Sequence, residues 1–218
     1  MLSVIKYILH KSGIKLSDTP MKKVLKKLEN SGVIVSGCNA LEIFGKDGQW
    51  HTKDYAFKVK SIEIWEIEKE YEIPLKKFFP KATIKITDSF EEIKSTRNKF
   101  DFIVCDNSMQ IFGDIHCEHF DIIDSIFNIA QDKCAIILNV IPCITKKDKQ
   151  KYPQLFNKQQ LEYRQRFYNT SKPENVTFSQ MIVSYTKLAE KHKFMVTNYF
   201  FQKRSLVYYC VLLVEKQK

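Results

Sequence analysis

The chain has 218 residues, 44% of them hydrophobic, with only six glycines and six prolines, so it can bury a full core and is neither fibrous nor disordered. Its formal net charge of +10 is spread unevenly, because lysines crowd 22–27 and 146–172 whereas 63–72 is acidic. A basic rim of this kind suits a phosphate-bearing metabolite, a nucleic acid or a lipid surface, and it is equally what a lysine-rich chain uses to solvate its surface.

No apolar run is long enough to cross a bilayer, and the first residues, MLSVIKYILHKSGIK, are interrupted by Lys6, His10 and Lys11. The core of a signal peptide is more apolar than this, so we expect a cytoplasmic protein without a membrane span. The six cysteines are scattered and form no CxxC pair. We therefore expect buried free thiols rather than disulfides or a zinc site.

Two helices are predicted first along the chain. Residues 2–9 carry apolar residues at helical spacing, and Asp18-Thr19-Pro20 caps the helix that begins with MKKVLKKLENSG. We interpret 1–37 as an N-terminal helical cover for a domain over 38–218.

Within 38–218 apolar strands and helical patterns alternate. Strands are predicted at 40–44, 61–65, 82–87, 100–106, 134–141, 194–201 and 205–215, with helices near 52–59, 68–79, 89–95, 118–131 and 177–192 and a helical insertion near 142–175. The last two strands are joined by a few residues, too few for a parallel crossover, so the final strand must be antiparallel. The fold class predicted is α/β, a three-layer sandwich around a seven-stranded, mostly parallel sheet.

Acidic residues recur at the carboxyl ends of the first four predicted strands, about one βα unit apart: Glu42, Glu66, Asp88 and Asp106. Ligands of open α/β sheets bind at this edge. A carboxylate after the second strand can accept both hydroxyls of a ribose, and one after the third can accept from an adenine amine. Glu66 could instead belong to a solvated helix start. Asp88 could cap the helix FEEI, a role compatible with adenine contact.

With these residues the chain resembles the class I S-adenosylmethionine-dependent methyltransferases over 38–215. In that family the first motif is an acidic residue before a glycine loop, which Glu42 and LEIFGKDG match, and the second motif's acid, here Glu66, holds the ribose. Asp106 matches the fourth motif, at the mouth facing the methyl group. The resemblance implies S-adenosyl-L-methionine as cofactor, bound by Glu42, Phe44, Gly45, Gly48, Glu66, Ile67, Asp88, Ser89 and Asp106.

The loop departs from the family's pattern, because Phe44 and Lys46 stand where it usually has glycines. A phenylalanine there must turn away from the ligand, and Lys46 brings a cation near a sulfonium. The sequence is thus read as an unusual working loop, with Gln49 to Thr52 capping the next helix. The alternative is a retained fold whose ligand has changed or been lost.

The candidate catalytic residues are Asp106 and two histidines of GDIHCEHF, His116 and His119, as a general base or a substrate contact. The spacing HCEH is too tight for a common zinc motif, so no metal is expected. The fourth motif, DNSM, lacks the prolines typical of enzymes that methylate adenine or cytosine in nucleic acid, or glutamine.

We therefore expect methyl transfer to a small or medium-sized acceptor, with the lysine-rich insertion and the N-terminal helices as its cover. Two other functions stay open. One is a non-catalytic protein of this fold. The other is nucleic-acid binding through KKVLKKLENSGVIVSG as a helix-turn-helix or winged element, which is possible but not favoured.

Overall fold

The computed structural model describes residues 18–107, 109, 111–112 and 116–218, and the helix predicted at 2–9 lies outside them. Seven strands form the main sheet: β1 (Asn39–Ile43), β2 (Ser61–Glu66), β3 (Thr83–Ile86), β4 (Phe100–Cys105), β5 (Ala130–Val140), β6 (Phe194–Lys203) and β7 (Tyr208–Lys216). Their order in the sheet is β3-β2-β1-β4-β5-β7-β6. A short ribbon pairs Ile111–Phe112 with His116–Cys117.

The helices are α1 (Pro20–Asn30), α2 (Thr52–Tyr55), α3 (Glu72–Phe78), α4 (Ser89–Ser95), α5 (Glu118–Ile129), α6 (Lys146–Lys151), α7 (Lys158–Tyr168) and α8 (Phe178–Lys191). Short 3₁₀ turns occur at Val35–Gly37, Lys69–Tyr71 and Pro153–Leu155. None of the described helices is long and apolar enough to cross a membrane.

The strand directions confirm the predicted fold class. Strands β1 to β5 are mutually parallel, whereas β7 runs antiparallel to both of its neighbours, β5 and β6. The carboxyl ends of β1 to β5 consequently share one edge of the sheet.

Alternate side chains of the strands are buried on opposite faces of the sheet, which makes three layers. In β4, Phe102 and Val104 join a core with α1, α2 and α3, whereas Ile103 and Cys105 join a second core with α4, α5 and α8. Five of the six cysteines are buried free thiols within this packing, and Cys143 is exposed.

Helix α1 forms as its sequence predicts. The Thr19 hydroxyl accepts the Lys22 N–H at 3.2 Å, Pro20 occupies the first turn, and the helix's apolar stripe is buried. The chain then makes the 3₁₀ turn Val35–Gly37 and enters β1. No second helix or hairpin lies between α1 and β1 in this described stretch, so KKVLKKLENSGVIVSG does not form the helix-turn-helix or winged element considered from the sequence.

Several boundaries differ from the prediction by a few residues, and two of them have a clear physical cause. Helix α2 ends at Tyr55 rather than near 59, because the chain turns there and the Lys60 N–H bonds to the Cys38 carbonyl at 2.9 Å, at the start of the next strand pair. Strand β5 begins at Ala130 rather than 134, because Ala130 pairs with Phe100 ahead of a register shift. Strand pairing thus replaces the last helical turn predicted there.

Candidate functional site

A cleft of about 350 Å³ opens at the carboxyl edge of the sheet. It lies between the loop after β1, the end of β4 and the loop that joins β6 to β7. The residues that line it are Phe44, Gly45, Lys46, Gly48, Trp50, His51, Thr52, Asp106, Asn107, Asn139, Arg204, Ser205 and Val207. Its volume falls in the range of small-molecule sites.

Two larger concavities lie elsewhere. One, of about 530 Å³, is lined by Cys38, Asp101 and Cys134 at the amino ends of their strands. Another, of about 600 Å³, lies along α7 and α8. In a parallel sheet the ligand edge is the carboxyl edge, so the smaller cleft is the candidate site.

The loop after β1 has the backbone of a glycine loop although two of its residues are not glycine. Phe44 has φ +66° and Lys46 has φ +48°, both in the left-handed region. Gly48 is left-handed as well, and a Cβ built there would lie 2.3 Å from the Phe79 ring. Phe44 and Lys46 therefore adopt a backbone conformation that favours glycine, and each places a side chain on the loop.

Glu66 ends β2 with a buried side chain. Its carboxylate accepts the Lys46 main-chain N–H at 2.5 Å and the Glu68 N–H at 2.8 Å. Ile67, the next residue, is 42% exposed. Glu66 at the end of β2 thus holds the loop that follows β1 in place.

A narrow gap continues from this point between Phe44, Ile67, Asp88, Ser89, Phe90 and Glu118, with a volume of only about 30 Å³. Asp88 caps α4, accepting the Phe90 N–H at 2.8 Å. The rings of Phe44 and Phe90 are 6.3 Å apart. Asp88, the residue predicted to contact adenine, therefore lines a gap that the rings of Phe44 and Phe90 make narrow.

Glu42 is fully buried and bound by side chains of the segment that follows the loop. Its oxygens lie 3.0 and 3.1 Å from His51 Nε2, and they accept from the hydroxyls of Thr52, at 3.1 Å, and of Tyr55. Three different side chains therefore satisfy this carboxylate within the protein.

Asp106, directly after β4, is paired just as fully. Arg204 Nη1 lies 2.6 Å from both of its oxygens, and His51 Nδ1 is 2.6 Å from Oδ2, a charge contact without the alignment of a hydrogen bond. The Tyr209 hydroxyl donates at 3.1 Å, and the Asn139 amide donates to Oδ1. His51 consequently bridges the carboxylates at the ends of β1 and β4.

The charges of this cluster reinforce one another. Burial by itself would lower the pKa of His51, but the Glu42 and Asp106 carboxylates outweigh burial and raise that pKa to about 10. Burial would raise the pKa of Asp106, yet His51 and Arg204 hold it well below its usual range. At neutral pH the cluster therefore holds an imidazolium between two carboxylates.

The two histidines predicted as catalytic candidates lie away from the cleft. His116 stacks on Phe90 with the ring centroids 4.5 Å apart, near the narrow gap rather than near Asp106. His119 is fully buried and lies 2.8 Å from the Tyr185 hydroxyl. Burial, with Arg164 nearby, lowers the pKa of His119 to about 3.

Several residues of the cleft were not predicted as site residues, and three of them have polar roles there. The sequence places His51 in the segment Gln49 to Thr52, which is predicted to cap the next helix and to close over the cofactor, and it places Arg204 in the turn between the last two strands. Asn139 carried the clearest signal, because it is a lone polar residue in the apolar strand CAIILNVI. A polar side chain in such a strand must find partners.

Solved structures share this architecture. NodS, an N-methyltransferase from Bradyrhizobium japonicum solved with S-adenosylhomocysteine, superimposes with a TM-score of 0.57 and 14% identity, covering 92% of this chain and 90% of NodS. The chain has the fold of the class I methyltransferases. Magnesium protoporphyrin IX methyltransferase from Synechocystis gives a TM-score of 0.55 at 14% identity, over 90% of this chain and 82% of that enzyme. TYW2 of M. jannaschii, in complex with AdoMet, gives 0.51 at 13% identity, over 93% and 79%.

No protein-family model matches the chain, and no curated protein matches it by sequence. At these identities the likeness to the solved structures is one of fold. The function therefore has to be argued from the cleft itself.

Proposed function

We propose that the chain transfers the methyl group of S-adenosylmethionine to a small or medium-sized acceptor. The observation that carries the proposal is the position of Glu66, a buried carboxylate at the end of β2 beside an exposed Ile67 and a glycine-type loop. A carboxylate there can accept from both hydroxyls of a ribose. Asp88 and Ser89 stand across the gap, where an adenine would be held.

The residue types around the cleft fit this cofactor, but the gap between Phe44 and Phe90 must widen to admit adenine. A gap of about 30 Å³ holds roughly one water, so adenine requires the Phe44 ring to rotate away from Phe90. Phe44 is only half-buried, which leaves it room to change rotamer. Lys46 is exposed and can pair with the methionine carboxylate.

The sulfonium supplies an already activated methyl group, so the protein's contribution is binding and alignment. In this proposal Asp106 lies beside the reacting groups and holds His51 and Arg204 in place. His116 and His119 take no part in the transfer, because neither lines the cleft.

The test is calorimetric titration with S-adenosylmethionine and S-adenosylhomocysteine. Glu66→Gln keeps an oxygen for the loop N–H and loses the charge, so affinity should fall at least roughly tenfold, as expected for hydrogen bonds to a charged group. Glu63→Gln is the matched control. Glu63 is a buried carboxylate of the same strand, paired with Lys85 at 2.8 Å away from the cleft, and its substitution should leave the affinity unchanged.

A protein of this fold that does not bind the cofactor is the second candidate, and the narrow gap beside Phe44 favours it. Absence of heat with either ligand in the folded wild-type protein would select it. Phe44→Gly then shows whether the ring is the obstacle, since binding recovered in that variant would assign the loss to the Phe44 side chain.

A further inference from the structure

Asn139 places an unmatched hydrogen-bond acceptor in the wall of the cleft. It lies near the end of β5 and is 2% exposed. Its Nδ2 donates to Asp106 Oδ1 and, at 2.7 Å, to the Asn107 main-chain oxygen. Both partners are oxygens that can only accept a hydrogen bond. The amide atom that faces them is therefore the nitrogen, and the atom on the other side of the amide is Oδ1.

The Oδ1 atom of Asn139 has no hydrogen-bond partner among the residues described. A buried carbonyl oxygen without a donor is unfavourable, and such atoms in folded proteins call for an explanation. Because Asn139 lines the cleft, a bound molecule that carries an N–H or O–H group would satisfy it.

Among the described residues that line this part of the cleft, none has a side chain that is free to take up a proton. Both oxygens of Asp106 are paired with Arg204, and Glu42 is fully buried beneath three donors. His51 lies between these two carboxylates as a cation. The remaining ionisable side chains among the described lining residues, Lys46 and Arg204, are cations as well.

We infer, resting on the proposed methyl transfer, that the acceptor presents an uncharged nitrogen carrying a hydrogen to Asn139 Oδ1, and that this nitrogen is the atom methylated. The hydrogen bond turns the nitrogen lone pair away from Oδ1 and toward the open cleft. The nitrogen forms the new N–C bond, the C–S bond breaks with its electron pair staying on sulfur, and the surplus proton leaves from nitrogen to water.

A suitable acceptor atom carries a hydrogen for Asn139 Oδ1 and is nucleophilic without a base, and oxygen acceptors meet only one of these two conditions. An alcohol or a phenol offers Oδ1 a hydrogen but needs a base to become a good nucleophile, and the described cleft residues supply none. A carboxylate needs no base but has no hydrogen for Oδ1. An uncharged amine offers both a hydrogen and a free lone pair.

This assignment agrees with the missing prolines of the DNSM segment. Exocyclic amines of nucleic-acid bases and the amide of glutamine have delocalised lone pairs, and these are the acceptors that the sequence argues against. The lone pair of a basic amine in a small metabolite is not delocalised, so this nitrogen is nucleophilic without further activation by the protein.

The test uses [methyl-¹³C]S-adenosylmethionine with three probes of similar shape: benzylamine, benzyl alcohol and benzoate. A mildly alkaline buffer keeps part of the benzylamine neutral, and a small-molecule cell extract is run in parallel. The carbon chemical shift separates N-methyl from O-methyl products. Label on nitrogen is the expected result. Label on oxygen, or no labelled product from a protein that binds the cofactor in calorimetry, overturns the inference, whereas failure of the cofactor itself to bind overturns the proposed function beneath it.

A variant separates recognition from folding. Asn139→Ala should weaken benzylamine binding to the S-adenosylhomocysteine complex roughly 3- to 10-fold, as expected for one neutral hydrogen bond, and raise KM more than it lowers kcat. Gln160→Ala is the control, because Gln160 is another buried amide that does not line the cleft and whose Nε2 donates to the Met109 carbonyl oxygen. It should lower the melting temperature without that selective loss of amine binding. Equal losses in both variants would assign Asn139 a structural role only.

Discussion

At the scale of single residues, the loop after β1 places two residues other than glycine in a backbone conformation that favours glycine. Phe44 and Lys46 adopt left-handed φ angles, which are unfavourable for any residue with a Cβ. The surroundings hold them there, since Glu66 accepts the Lys46 N–H and the Gly45 N–H bonds to the Trp65 carbonyl at 2.8 Å. The strain is local and should be measurable.

Lys46 is the better of the two positions for that measurement, because its side chain is exposed. Lys46→Gly and Lys46→Ala both remove the charge, and only the alanine keeps a Cβ. We expect the glycine variant to be more stable by about 0.5–1 kcal/mol, the left-handed penalty less the extra backbone entropy that glycine loses on folding. Urea unfolding followed by tryptophan fluorescence measures the difference, and an alanine variant as stable as the glycine one would contradict the strain.

At the scale of elements, the sequence predicted most of the sheet because buried parallel strands are continuous apolar runs between polar segments. The reversed β7 followed from a connection too short for a crossover. The start of β5 did not follow, because Ala130 continues a helical pattern and only its pairing with Phe100 makes it a strand. The local pattern of apolar residues does not show which strand thirty residues away will pair with Ala130.

The candidate site, like the sheet, was only partly predictable from the sequence. Strand ends fix where Glu42, Glu66, Asp88 and Asp106 lie, and their common edge was predictable from the order of the elements. The partners of Asp106 were not, because Arg204 is 98 residues away in sequence and reaches it through the loop between the last two strands. A contact of that kind depends on the fold and on side-chain rotamers.

His51 joins the ends of β1 and β4, and this contact gives stability a dependence on alkaline pH. The groups around it are Glu42, Asp106, Arg204 and the phenols of Tyr55 and Tyr209. The pKa of His51 is raised from 6.5 to about 10 in the folded protein. Its contribution is therefore complete below pH 6.5 and is lost as the pH rises toward 10.

Unfolding free energies of the wild type and His51→Gln should thus converge between neutral pH and pH 10. The shift corresponds to a gap of at most about 5 kcal/mol at neutral pH, with the wild type more stable. Urea titrations at a series of pH values measure it. A gap that stays constant across this range would show that His51 contributes shape rather than charge.

At the scale of the whole molecule, two histidines are held in opposite protonation states, His119 fully buried and His51 largely so. His51 is a cation among carboxylates, whereas His119 is neutral in a core of aromatic rings that joins α5, α7 and α8. Loss of the proton from His51 therefore lowers stability at alkaline pH, and protonation of His119 in the unfolded chain lowers it at acid pH. The folded state should be most stable between the two limits.

The acid limit can be isolated at His119, which faces the Tyr185 hydroxyl at 2.8 Å and the Arg164 cation, with Tyr168 bonded to Tyr185 at 3.0 Å. Burial lowers the pKa of His119 to about 3. Between pH 6.5 and 3 the imidazole of His119 is therefore protonated in the unfolded chain and neutral in the folded protein. Stability is lost as the pH falls through that window.

His119→Gln keeps a polar group for Tyr185 and removes the titration, so it should lose less stability than the wild type between pH 6.5 and 3, by up to about 5 kcal/mol. Tyr185→Phe is the control, because it removes the same hydrogen bond and leaves the imidazole buried. Its acid-induced loss should therefore match that of the wild type in urea titrations. If His119→Gln lost stability as steeply as the control between pH 6.5 and 3, the uptake of a proton by His119 on unfolding would not be the cause of the acid limit.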